Sequence, residues 1–296
     1  MLLIKAEKVF EKPIQETIKI IIQKGGLIVF PTETVYGIGA DATNPSAVQK
    51  IFLAKGRPSD NPLIVHIADR QDLNKYVKTI PVFAYPLMDA FWPGPLTLIF
   101  EKETMIPLEV SGGLMTVGMR IPSSEVARAV IKAAEVPICA PSANVSGRPS
   151  STIFEHVLED FSNRVDMMID GGLVDIGLES TVLDITQEIP VLLRPGAITK
   201  KMIEKVLGIS ILDATHDEVE DIPKSPGMKY THYAPKGTVH LIKGDKSKVM
   251  AYMKEMIKTL DRQHVGLIAP TEYQMSDFLF KVDLGSMDHM DEVGRH

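Results

Sequence analysis

Apolar positions alternate between two spacings along this chain. Over residues 13–23, Ile14, Ile18, Ile21 and Ile22 recur at the three-and-four-residue interval of a helix face, and Gly25 follows as a stop. Residues 27–30 are a short continuous apolar run, the mark of a buried strand. Asn44 and Pro45 have the chemistry of an N-cap and a first turn. Val48, Ile51 and Phe52 form the inner face of the helix they open, and Gly56 ends it. Further strands are expected over 63–67, 96–100, 116–121, 137–140, 181–185 and 191–193, with helices over 125–134 and 199–207. Strands that alternate with helices predict an α/β fold with many strands covered on at least one face.

This alternation fills residues 1–213. Residues 214–236 break it: Asp217, Glu218, Glu220 and Asp221 come first, three prolines are spread through the stretch, and Tyr230-Thr231-His232-Tyr233 closes it. The segment reads as a linker, acidic and then aromatic. Strand patterns over 239–242, 265–268 and 278–284, with a helix over 246–260, then predict a small Rossmann-like domain at 237–296. About 60 residues is marginal for independent stability, and the pattern stops within a new helix, so this domain is expected to be incomplete.

The bulk numbers narrow the class. With 296 residues and 45% hydrophobic content the chain can bury a sizeable core. No run approaches the 18 or more apolar residues of a membrane span, and a single cysteine, Cys139, excludes an internal disulfide. A cytoplasmic protein is expected. The net charge of −6 argues against a general nucleic-acid binder but not against a nucleotide. Exposed charges beyond about 8 Å are largely screened, whereas a cation about 4 Å from a phosphate is worth about 4 kcal/mol at an effective dielectric near 20.

Candidate chemistry clusters in a few stretches. Lys50, Lys55, Arg57 and Asn61 crowd the end of one helix and a loop stiffened by Pro58 and Pro62. The guanidinium there is a potential phosphate clamp, although lysines at a helix C-terminus also fit a solvated basic face. Ser142, Asn144, Ser146 and Ser150 lie on a loop before Ser151-Thr152, where a helix start would attract an anion or Ser151 would simply cap it. Arg120 and Arg194 each end an apolar strand, and they share a rim if those strands run the same way. Residues 31–39 combine two threonines, a tyrosine and two glycines, and on local grounds read more simply as a polar turn than as a binding loop. His66 in an apolar strand and Cys139 in Pro-Ile-Cys-Ala have ordinary core readings. Walker A, dinucleotide and zinc spacings are absent from the sequence.

Taken in order, eight segments resemble the YrdC-like family in its two-domain, L-threonylcarbamoyladenylate synthase form. They are Pro31-Thr32-Glu33-Thr34-Val35-Tyr36-Gly37, Lys55-x-Arg57, Asn61-Pro62-Leu63, Trp92-Pro93-Gly94-Pro95-Leu96-Thr97, Ala140-Pro141-Ser142-Ala143-Asn144, Glu179-Ser180-Thr181, Leu193-Arg194-Pro195-Gly196, and the run from Pro226 to Pro235. The resemblance implies a twisted, mostly parallel YrdC-like sheet with a large positive cavity (residues 1–213), a linker or lid (214–236), and a Rossmann-like C-terminal domain. It implies a nucleotidyltransferase that joins L-threonine, bicarbonate or CO2 and ATP into threonylcarbamoyl-AMP and pyrophosphate. That is the first step of threonylcarbamoyladenosine formation beside the tRNA anticodon. A downstream threonylcarbamoyl-transferase complex and, indirectly, tRNA are the implied partners, with no membrane.

Residue by residue, the resemblance implies catalytic roles for Lys55, Arg57, Ser142 and Asn144. It puts Lys50, Arg57, Asn61, Thr116, Ser142, Ser150, Arg194, Tyr230 and His232 around ATP, and Thr34, Tyr36, His66, Arg120, Ala140 and Ser180 around threonine. Magnesium is expected with ATP, held by substrate and water rather than by a dedicated protein site. Two alternatives stay open on sequence grounds: a double-stranded-RNA-binding module, which the acidic net charge disfavours, and a carbamoyl-adenylate enzyme with another acceptor.

Overall fold

A computed structural model describes residues 1–215 and 237–289. The chain divides into two compact units, Met1–Ala234 and Pro235–His296. In chain order the first contains β1 (Leu2–Lys5), α1 (Lys12–Gln23), β2 (Ile28–Pro31), β3 (Tyr36–Asp41), α2 (Pro45–Lys55), β4 (Ile64–His66), α3 (Ala84–Phe91), β5 (Leu96–Glu101), α4 (Leu108–Ser111), β6 (Thr116–Arg120), α5 (Glu125–Ala134), β7 (Ile138–Cys139), α6 (Phe154–Phe161), β8 (Met167–Asp170), β9 (Thr181–Asp184), β10 (Val191–Arg194), α7 (Lys200–Leu207) and β11 (Leu212–Asp213).

These strands form one mixed sheet in the order β1-β8-β2-β3-β7-β4-β6-β5-β9-β10-β11. The pairs β1/β8, β2/β8, β4/β6, β5/β9 and β10/β11 are parallel, and the others antiparallel. This is the α/β architecture that the alternation predicts. Because β5 is antiparallel to β6 and parallel to β9, and β9 is antiparallel to β10, strands β6 and β10 run the same way. Their last residues, Arg120 and Arg194, therefore reach the same rim.

Two-residue alternation separates the faces of the central strands. Val65, Leu96, Leu98, Phe100, Val117, Met119 and Leu183 join the main core. Ile64, Ile99, Val182 and Leu193 form a small cluster of their own, and His66, two residues from Ile64, shares its face. That second face is the floor on which the site is built.

Local chemistry explains the elements around it. The Asn44 side chain accepts from the amides of Ser46 and Ala47, Pro45 occupies the first turn of α2, and Gly56 closes the helix in the left-handed region at φ 61°. The polar-turn reading of 31–39 needs correction in its second half. Tyr36–Asp41 is the strand β3, paired with β2 and β7. Its glycines hide it from propensity, yet a Cβ on Gly39 would lie 2.7 Å from both Phe30 Cε1 and Ile138 Cγ2, so the sheet is too tight there for any side chain. Ser151 does not cap a helix: α6 starts at Phe154 after Ile153, which has no side-chain cap.

The second unit contains α8 (Lys246–Thr259), β12 (Gly266–Ala269) and β13 (Phe280–Asp283). α8 places Val249, Met253 and Ile257 on one face, and they bury with Leu267 and Ala269 of β12, Met275 and Phe278. The parallel pair β12/β13 forms this unit's sheet among the described residues. The strand expected at 239–242 is absent there: Val239 and Leu241 are 71% and 76% exposed, with no ladder to satisfy their backbone.

Candidate functional site

A cavity of about 400 Å3 opens on the second face of the sheet, within the range of small-molecule sites. Its lining includes Thr34, Arg57, His66, Arg120, Ala140, Ser142, Ser180 and Arg194, all expected at a site, together with Glu179. Strand ends supply most of them. His66 and Arg120 are register partners across the parallel β4/β6 pair, Ala140 follows β7, Ser180 precedes β9, and Arg194 ends β10. Three guanidiniums against one lining carboxylate make the cavity positive, as the resemblance implies.

Arg120 is almost wholly buried, as is its partner. Its Nη2 donates to Glu33 Oε1 at 2.6 Å, Nη1 to Thr34 Oγ1 at 3.0 Å, and Nε to the Gly94 carbonyl at 3.2 Å. Three of five donors are thus used among the described residues, and two N–H groups remain for an anion. Arg194 donates from Nε to the Ser180 carbonyl (3.0 Å) and from Nη2 to Ser180 Oγ (3.1 Å), while Ser180 Oγ also bonds buried Thr97. Burial brings the Arg194 guanidinium down to about 10, so it stays charged at neutral pH. The Arg57 side chain donates from Nη2 to the Pro62 carbonyl at 3.2 Å, which ties the clamp to its stiff loop.

Lys55 has a different part from the one expected. Instead of lining the cavity it is 2% exposed, and its ammonium donates to the carbonyls of Ser142 and of Asn144, the latter at 2.7 Å. Its own carbonyl accepts from Ser146 N. Burial, and next the Arg57 charge, push the ammonium well below the usual lysine range. Lys55 therefore holds the serine loop in place from beneath. Asn144 works within that loop: its Oδ1 accepts from Ser142 Oγ (2.5 Å), and its amide donates to the carbonyls of Val145 (3.0 Å) and Arg148 (2.7 Å). Ser150 reaches the wall indirectly, by donating to Glu179 Oε1. Asn61 is buried outside the set of lining residues, and its Oδ1 has no partner among the described residues.

Besides Lys55, Asn61, Asn144 and Ser150, three further expected residues are not in the lining. Lys50 is exposed and donates to the Gly25 carbonyl at 2.6 Å. The Tyr36 hydroxyl, buried, donates to the Gly172 carbonyl (2.8 Å) and accepts from Gly171 N (3.0 Å). Thr116 opens β6, four residues back from Arg120, and pairs with Glu101. Tyr230, His232 and the lid lie outside the described residues. Conversely, Glu33, Glu179 and Thr97 belong to the recognised motifs but not to the expected site residues. The signal that marks them is a polar residue inside an apolar or hydroxyl-rich run.

His66 is 3% exposed, and its Nδ1 has no partner among the described residues. Burial first, then the Arg120 charge, lowers its pKa to about 3. Burial raises the Glu33 carboxyl, but the Arg120 charge and hydrogen bond outweigh it, and the net direction is downward. Both shifts have one sign for stability. Unfolded His66 takes up a proton near its ordinary value of about 6.5, which the folded protein refuses until about 3. Stability therefore falls as pH drops through that window, by at most about 1.4 kcal/mol per pH unit. Glu33 adds a loss as pH falls through its own lowered value. Urea midpoints from pH 7 to 4 should fall, and His66→Leu should flatten the slope. An unchanged slope would refute the assignment.

No metal-binding group of three or more His, Cys, Asp or Glu occurs among the described residues, and no helix there is long and apolar enough to cross a membrane. The Sua5–YciO–YrdC family model, described as "Telomere recombination", matches residues 20–196, and the model of the threonylcarbamoyl-AMP synthase C-terminal domain matches 198–295. Threonylcarbamoyl-AMP synthase of Pyrococcus abyssi is 45% identical over 92% of this chain and 84% of its own. The Bacillus subtilis protein of the same name is 44% identical over 93% and 77%. The crystal structure of P. abyssi Sua5 complexed with L-threonine superposes with a TM-score of 0.90 at 42% identity, over 99% of this chain and 85% of that one. With both models matched in succession, the chain belongs to the Sua5–YciO–YrdC family, in the form that continues into the threonylcarbamoyl-AMP synthase C-terminal domain.

Proposed function

We propose that this chain makes L-threonylcarbamoyl-AMP from L-threonine, bicarbonate or CO2, and MgATP. The threonine nitrogen bonds to the carbon of CO2 and loses a proton, which gives a carbamate. A carbamate oxygen then attacks the α-phosphorus of ATP, the bond to the bridging oxygen breaks, and pyrophosphate leaves. The observation that carries this reading is the convergence of Arg57, Arg120 and Arg194 with Ser142 on one cavity. The names of the relatives and the threonine complex of the P. abyssi protein support the same substrate.

The two uncommitted N–H groups of Arg120 hold the threonine carboxylate, with Thr34, Ala140 and Ser180 around the amino acid. Arg57, Arg194 and Ser142 hold the phosphates, with Asn61 and Ser150 beside them. Attack at a phosphoryl centre needs orientation and charge stabilisation more than a protein nucleophile, and a carbamate must be kept from water. Cys139 fits no covalent role, because burial pushes its thiol pKa far up. Magnesium arrives with ATP, on phosphate oxygens and water, as a hard cation prefers. The product is consumed by an enzyme that transfers the threonylcarbamoyl group to adenosine in tRNA, and a cytoplasmic setting follows from that reading.

The test is pyrophosphate release from ATP as a function of threonine and bicarbonate, with serine as the competing acceptor. Arg57→Ala should lower the rate by roughly 100-fold or more. Release that ignores threonine, or a fully active Arg57→Ala, would sink the proposal.

A further inference from the structure

Three guanidiniums line one cavity, so something must decide which anion each one takes. The buried surroundings of Arg120 supply an answer that rests on the reaction just proposed. Glu33 and Arg120 are each 4% exposed and form an ion pair at 2.6 Å. Glu33 is itself held at both ends: its Oε2 accepts from Ser124 N at 3.4 Å, at the cap of α5, and its carbonyl accepts from Ile176 N at 2.9 Å. The next residue, Thr34, touches Nη1 of the same guanidinium. One turn therefore fixes both the plane and the charge of the Arg120 fork.

We infer that Glu33 is a positioning residue that makes Arg120 a carboxylate site for the amino acid and keeps the triphosphate from occupying it. The physical reason is charge. The Glu33–Arg120 pair is net neutral, so Arg120 offers aimed N–H groups without the net positive charge that draws a polyanion more strongly than a monoanion. With Glu33 neutralised that charge returns, and a triphosphate gains more from it than a carboxylate does. Orientation adds to this. A pinned fork presents its two remaining N–H groups in one geometry, which suits two oxygens of a planar carboxylate.

Steady-state kinetics on the full chain test this, with threonine and ATP varied separately. Glu33→Gln should raise the threonine KM on the order of 10- to 100-fold while the ATP KM stays within about twofold. Tripolyphosphate should become competitive against threonine in the variant. Glu33→Asp keeps the charge on a shorter arm and should fall between wild type and Glu33→Gln. An unmoved threonine KM, equal rises in both KM values, or tripolyphosphate that still does not compete with threonine would overturn the inference. If Glu33→Gln fails to fold, Glu33→Asp decides by the same split at smaller scale, and equal rises overturn it. Wild-type protein without threonine-dependent pyrophosphate release would remove the proposed reaction itself. Wild-type turnover with an unshifted variant removes only the role of Glu33.

Discussion

Lys55→Met should leave the protein folded and nearly inactive. The substitution keeps an unbranched side chain of similar length but removes the ammonium that donates to the Ser142 and Asn144 carbonyls. Two opposing effects then act on stability. Each buried carbonyl that loses its donor costs about 1–3 kcal/mol. Against that, the buried ammonium carries its own desolvation cost, visible in a pKa pushed well below the usual lysine range, and an apolar Met ends it. The two effects are of similar size, so the thermal midpoint should move by only a few degrees. Activity does not share the compensation. Ser142 faces the cavity only while its loop is held from α2, and a displacement near 1 Å can cost on the order of 100-fold in rate. Threonine-dependent pyrophosphate release should fall by about that factor, and hydrogen exchange should quicken at the amides of residues 142–146 without any ligand. Loss of ATP binding with those amides unchanged would show instead that the ammonium contacts phosphate directly.

Gly196→Ala should cost both stability and activity. A Cβ there would lie 2.5 Å from Thr181 N, 2.6 Å from the Glu179 carbonyl oxygen and 2.8 Å from Thr181 Oγ1. Two of the three are backbone atoms, which no side-chain rotation can move aside. The segment 179–181 is held from the other side as well: the Thr181 hydroxyl donates to the Ile198 carbonyl (2.7 Å) and accepts from Ile198 N (3.1 Å), and Ser180 holds Arg194. Overpacking of this kind costs about 1–3 kcal/mol, and more when backbone must move. At about 2–4 °C per kcal/mol for a domain of roughly 200 residues, the midpoint should drop by about 5–10 °C. Displacement of Glu179, Ser180 and Arg194 together should suppress turnover further than the stability loss explains. Gly237→Ala, at a site with nothing within 4 Å of the added atom, is the control. An alanine variant at 196 with wild-type midpoint and rate would show that the strand ends are not packed this tightly.

How far the site is legible in the sequence varies residue by residue. Arg120 and Arg194 are legible as strand-end arginines on one rim, because β6 and β10 do run the same way. Arg57 is legible because stiff proline-flanked loops hold guanidiniums outward. Lys55 is legible as a site residue but not in its role, since a motif names a lysine without saying that two carbonyls already claim its ammonium. Lys50, Tyr36 and Thr116 come with the same resemblance, yet Lys50 bonds Gly25, Tyr36 bonds the Gly171–Gly172 turn, and Thr116 stands at the opposite end of β6 from Arg120. Glu33 is not legible in its role, because its importance is a buried pair with a residue 87 positions away.

From residue order alone came the α/β alternation, the helix stops at glycine, the acidic break near residue 214 and the set of motifs that mark the family. These depend on spacing, capping and local composition, which are properties of neighbours in the chain. The register that puts His66 opposite Arg120, the closeness that forbids a side chain at Gly196, and the division of cations into cavity walls and buried props were decided only by the folded structure. Each depends on which distant atoms share a hydrogen bond or exclude each other's volume, and no short stretch of sequence contains both partners.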